Sequence, residues 1–140
     1  MGIVRIVGAA AAAGMAASAV RRRVDGVRQV RRSVAEYREH WRALAEGHDP
    51  DGQELRYVAL GDSAAQAVGA SSPEAGYVAA VAQHLAGLTG RDVALFNLSV
   101  SGAKATDVLG DQLPRLADLG FTPDVLTLGI GGNDIVDRRI

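Results

Sequence analysis

Three apolar runs in the second half of the chain, RYVAL, DVALFNLSV and DVLTLGI, show no polar alternation. A strand that is apolar at successive positions has both faces covered, as in a parallel sheet flanked by helices. Between the runs the period changes. YVAAVAQHLAGL carries a helical pattern ended by Gly90, and DVLGDQLPRLADLG carries another, in which Pro114 predicts a kink or a break. Strand, helix, strand, helix, strand from about Arg56 onward predicts a parallel α/β sheet with right-handed crossovers.

The first half has a different pattern. Apolar Val27, Val30, Val34, Tyr37, Trp41 and Leu44 recur at alternating spacings of three and four, which predicts an amphipathic helix over 21–46. Arg28, Arg31, Arg32, Arg38 and Arg42 occupy its other faces. Such a helix can lie on an anionic membrane surface. It can equally pack on the domain with its arginines solvated, and this second reading is favoured because charge runs are usually solvated faces. Residues 47–55, GHDPDGQEL with its turn formers, read as a linker ahead of a domain over 56–140.

Residues 1–20 are apolar and rich in Ala and Gly, with no charge between Arg5 and Arg21. As a helix that gap spans only about 22 Å at about 1.5 Å per residue, short of a ~30 Å hydrocarbon core. It resembles the apolar part of an export signal, and Ala17-Ser18-Ala19 has the pattern of a cleavage site. Arg21, Arg22 and Arg23 oppose translocation and suit a short anchor with its C-terminal side in the cytoplasm. An Ala-rich helix packed on protein is the third reading. Membrane association or export is the expectation for this segment, with a cytoplasmic protein as the alternative.

Composition narrows the class further. With 48% hydrophobic and 22% charged residues and a net charge of -1, the chain reads as globular, and nothing argues for nucleic acid as a partner. Aromatic residues make up 4%, so Ala, Val and Leu must build the core. The absence of cysteine rules out disulfides, thiolate metal sites and a Cys nucleophile.

In an open parallel sheet the chemistry gathers at the carboxyl ends of the strands. Strand one ends in Gly61-Asp62-Ser63, strand two runs into a turn with Gly102, and strand three into a turn with Asn133. Ser63 alone reads equally well as a helix N-cap, since small residues follow it. Together the three suit acyl transfer. A hydroxyl attacks an ester carbonyl, and N–H donors stabilise the charge that builds on its oxygen. Ser63 would supply the hydroxyl and an N–H, Gly102 a second N–H, and Asn133 a carboxamide N–H.

The segments ALGDSAA, NLSVSGAKATDV and LGIGGND resemble, in order, the first three motifs of the SGNH/GDSL hydrolases. The resemblance covers about Arg56 to Asp134. It implies a flavodoxin-like three-layer α/β/α sandwich with five strands in the order 2-1-3-4-5, of which this sequence would hold about three. It also implies that Ser63 is the nucleophile and that Ser63, Gly102 and Asn133 form the oxyanion hole. Asp62 and Asp134 match motif positions and read as loop-shaping acceptors. The substrate would be a small ester or acylated molecule, with no cofactor and no metal.

Two departures stand out. Ala64 replaces the usual Leu, at a position that packs rather than reacts. The family's base, a histidine preceded three residues earlier by an aspartate, has no counterpart, because no D-x-x-H occurs in the sequence. His40, His48 and His84 read as surface or packed residues. The chain by itself is therefore expected to turn over poorly. The rival reading is an inactive fragment serving as a membrane-associated or protein-interaction module. GIGGND lacks the third glycine of a dinucleotide fingerprint. Asp107 and Asp111 read as solvated or capping residues rather than metal ligands.

Overall fold

The computed structural model describes residues 28–48 and 52–137. The apolar segment over 1–20 and the Arg21–Arg23 run lie outside them. The chain divides into two units, Met1–Arg32 and Ser33–Ile140, and the fold described below belongs to the second.

A helical run, α1, covers residues 28–46 and joins the second unit from Ser33 on. β1 (Leu55–Gly61), α2 (Tyr77–Thr89) and β2 (Val93–Asn97) follow. Next come a single turn α3 (Ala105–Asp107), a π-helical segment (Val108–Gln112) and α4 (Leu113–Asp118). β3 (Val125–Gly129) and α5 (Gly132–Asp137) complete the order. The sheet is parallel, with strand order β2-β1-β3, so the first strand in sequence is central. This is a partial flavodoxin-like arrangement.

Side-chain alternation along β1 divides the core into two layers. Leu55, Tyr57 and Ala59 face one side, packed with Trp41 of α1 and with Val78 and Ala79 of α2. Val58 and Leu60 face the other, packed with Val108 and Leu98 and flanked by Leu116, Leu119 and Phe121. Helices thus cover both faces of the central strand β1, whereas β3 leaves Leu126 and Leu128 exposed despite its equally apolar run.

The packing of α1 follows from its stripe. Trp41 is 3% exposed and donates its indole N–H to Gln66 O at 3.2 Å. Tyr37 donates its hydroxyl to Ala70 O at 3.0 Å. Arg38 and Arg42 remain exposed. The favoured reading of the stripe, packing on the domain, holds for Tyr37 and Trp41, whereas Val30 and Leu44 of the same stripe are exposed. Among the described residues no helix is long and apolar enough to cross a membrane.

Pro114 does not break the second crossover helix, which runs on from Ala105 to Asp118 with the proline inside it. The helix widens just ahead of it, with Leu113 N bonding Val108 O, five residues back, in place of the usual four-residue step. Gly90 ends α2 in the left-handed conformation at φ 64°, its N–H on Ala86 O. Two expectations need correction. Strand two is shorter than DVALFNLSV and ends at Asn97, whose Oδ1 accepts from both N and Oγ of Ser99, although Leu98 N and Val100 N still bond Ala59 O and Gly61 O. No helix begins at Ser63: residues 63–67 form turns, with Ala67 at φ 66°, and the next helical turn starts at Pro73.

Candidate active site

The end of β1 is fastened to both neighbouring loops. Gly61 pairs in register with Gly129 of β3, and Asp62 N donates to Gly129 O at 3.2 Å. On the other side Val100 N donates to Gly61 O at 3.1 Å. A Cβ on Gly61, where φ is 149°, would sit 2.3 Å from Gly129 O, so only glycine lets the two strand ends approach this closely.

Ser63 follows directly. Its side chain is half-buried, and among the described residues no hydrogen bond engages its hydroxyl. It does not cap a helix. Its carbonyl accepts from Val68 N at 2.9 Å, closing the turn. Asp62 shapes the same turn, its Oδ1 accepting Ala64 N at 3.0 Å.

The second loop turns at Gly102, whose φ of 86° is a conformation that favours glycine. The space beside its Cα is open to 4 Å. The third segment meets the second loop through side chains. Asn133 donates Nδ2–H to Ala103 O at 2.8 Å, and Asp134 Oδ2 accepts Ala105 N at 3.1 Å. A carboxamide nitrogen carries two hydrogens, so one bond to Ala103 fixes the plane of Asn133 and directs its other N–H. Asp107 caps the start of α3, its Oδ2 accepting Lys104 N at 2.8 Å. Ser63 and Gly102 therefore lie on loops, while Asn133 lies in the first turn of α5 rather than in the turn expected for it, and hydrogen bonds tie the three segments together at one rim of the sheet.

The histidines have other partners. His48 accepts Leu95 N–H on Nε2 at 3.1 Å, which places its proton on Nδ1, facing Glu54 Oε1 at 3.3 Å. His40 Nε2 lies 3.4 Å from Glu74. His84 is exposed on α2. Among the described residues none of them bonds to Ser63, and no group of acidic residues or histidines could hold a metal ion.

A layer of buried amides supports the rim, and sequence reasoning missed it. Gln112, fully buried in the π segment, accepts Gly61 N–H on Oε1 at 2.8 Å and donates Nε2–H to Gly61 O at 2.8 Å. Gln66 Nε2 donates to Ser99 O at 2.7 Å, and Asn97 Nδ2 to Ala65 O at 2.8 Å. The available signal was a glutamine inside an apolar helical period, two residues before a proline. Tyr77 packs its hydroxyl end over Gly129. Burial first, then the charge of Asp62, pushes its phenol above the ordinary tyrosine range.

The family model for the GDSL-like Lipase/Acylhydrolase family matches residues 59–139. Among solved structures the fold is similar to AlinE4, an SGNH-hydrolase family esterase, with a TM-score of 0.54 and 24% identity over 62% of this chain and 45% of that one. A mutant of the same esterase matches with a TM-score of 0.53 and 24% identity, over 61% and 44%. The chain thus spans less than half the length of these structures. No curated protein matches it.

Proposed function

The chain belongs to the GDSL-like lipase/acylhydrolase family, and we propose that it carries the nucleophile and oxyanion-binding part of a serine hydrolase acting on carboxylic esters. The observation that carries this reading is the joining of three segments at one rim: Asp62 to Gly129, Gly61 to Val100, and Asn133 to Ala103. Ser63 Oγ attacks the ester carbonyl, the alcohol leaves with a proton, and water hydrolyses the acyl-serine to release the acid. The N–H groups of Ser63 and Gly102 and the second N–H of Asn133 stabilise the oxyanion of each tetrahedral intermediate. No step calls for a cofactor.

His40, His48 and His84 are held elsewhere. On this reading the proton of Ser63 goes to the Asp-x-x-His histidine that the family resemblance implies and this sequence does not contain. Without it, an oxyanion site alone supports roughly 10³- to 10⁴-fold catalysis over water. The test is the reaction of p-nitrophenyl acetate with the 140-residue chain and with Ser63→Ala. Acetylation of Ser63 by this substrate, read as a mass increase absent from the variant, supports the reading, and a parent whose Ser63 stays unmodified removes it from the mechanism.

A further inference from the structure

A cleft of about 610 Å³ lies along the outer side of β2, between α1 and α4. Ser63 is not among the residues that line it. Its size falls within the range of small-molecule sites. Trp41, Phe96, Leu98 and Leu119 supply an apolar lining, and of these Trp41 and Leu98 are buried. Arg38 stands on one helical wall and Arg115 on the other, both exposed, so their charges sit at the solvent end. A third arginine, Arg42, is engaged by Glu39 at 2.6 Å and Glu46 at 3.2 Å. Among the described residues Arg115 makes only long contacts, to Leu98 O at 3.3 Å and Asp111 at 3.4 Å.

The cleft also holds an incomplete polar group. Gln66 lines it, and its buried Oε1 has no donor among the described residues. A buried acceptor left unpaired costs about 1–3 kcal/mol. A water held in the cleft would remove that cost, since an anionic ligand brings no donor of its own.

We propose that this cleft binds an amphiphilic anion, an aliphatic carboxylate whose chain lies against Trp41, Phe96, Leu98 and Leu119 and whose head is held between Arg38 and Arg115. The apolar lining favours the chain by the area it removes from water. Guanidinium pairing with carboxylate at the mouth supplies the preference for an anion over a neutral molecule of the same shape.

Trp41 is the only tryptophan of the chain, so its fluorescence reports the cleft directly. Octanoate titrated into the full chain is expected to change that emission saturably. Its neutral counterpart, 1-octanol, is expected to bind at least about tenfold more weakly, the loss of one ion-paired contact. Arg38→Glu, at an exposed position, and Arg115→Ala are each expected to weaken octanoate about tenfold with the far-ultraviolet circular dichroism unchanged. Ser63→Ala is expected to bind as the parent does. A response that never saturates, equal affinity for 1-octanol, unchanged affinity in Arg38→Glu, or loss of binding in Ser63→Ala would each overturn the assignment.

Discussion

Gln112 accepts the Gly61 N–H on Oε1 and donates Nε2–H to the Gly61 carbonyl, each at 2.8 Å, and it shares that carbonyl with Val100 N at 3.1 Å. β2 pairs with β1 only as far as Asn97 opposite Ala59, so nothing on that strand reaches the Gly61 amide. A primary amide has the same donor and acceptor as a peptide group. Gln112 Oε1 therefore takes the place of a strand carbonyl as acceptor for the Gly61 N–H and holds the end of β1 just before Ser63.

This relationship predicts that Gln112→Leu loses about 1–3 kcal/mol of stability, the cost of leaving the buried Gly61 N–H unpaired. Gln112→Glu should depend on pH. A protonated carboxyl can make both bonds, whereas a carboxylate faces the Gly61 carbonyl without a proton. The folded-state pKa of that Glu is raised, so its contribution is fully present below about pH 4.3 and lost as pH rises through the raised value. Urea unfolding of parent and variant across this range checks it. A parent–variant difference that does not change with pH would mean the bidentate bond does not form.

Asn133→Ala removes both the tie to Ala103 O and the proposed oxyanion donor. The expected loss in Ser63-dependent kcat is about 10²- to 10³-fold, with a smaller change in KM. Steady-state kinetics on p-nitrophenyl acetate measures it, and a change confined to KM would assign Asn133 to ground-state binding.

Trp41→Ala should destabilise the domain by about 3–5 kcal/mol, because it empties a buried aromatic site shared with Leu55, Tyr57 and Val78. Trp41→Phe keeps most of the volume and loses the indole bond to Gln66 O, for about 1 kcal/mol. Thermal unfolding distinguishes them. If both variants melt with the parent, α1 is not part of the core.

Tyr57 is buried, and burial pushes its phenol above the ordinary tyrosine range, while the bond to Thr127 Oγ1 at 2.8 Å opposes that shift. In the unfolded chain the same group ionises near pH 10. The folded state then holds a proton that the unfolded state has released, so this contribution to stability is lost as pH rises through the raised folded value. Tyr57→Phe should show a shallower alkaline loss of stability than the parent. Chemical unfolding between pH 9 and about pH 11 reads the slope, and identical slopes would exclude Tyr57 as its source.

The edge of the sheet shows what the local pattern could not supply. Leu126 and Leu128 of β3 are 44% and 54% exposed, although the apolar run DVLTLGI reads as covered on both faces. Hydrophobic pattern records what a strand is built to bury, and only the fold shows which neighbours are present to bury it. The same limit applies to Ser63. Composition after Gly-Asp-Ser suits a helix cap, yet the backbone there turns at Ala67, and the Asp62 side chain takes the Ala64 amide.

By itself the sequence determined the parallel βαβαβ order, the strand-end placement of Ser63, Gly102 and Asn133, and the disturbance of the helix at Pro114. These depend on period, on glycine and on a missing N–H, all local properties of the chain. Only the tertiary structure decided that α1 belongs to the core through Trp41, and that Gln112 completes the end of β1. Each of those facts joins residues 25 or 51 positions apart. A glutamine's preference between water and a distant peptide group is settled by what lies beside it after folding.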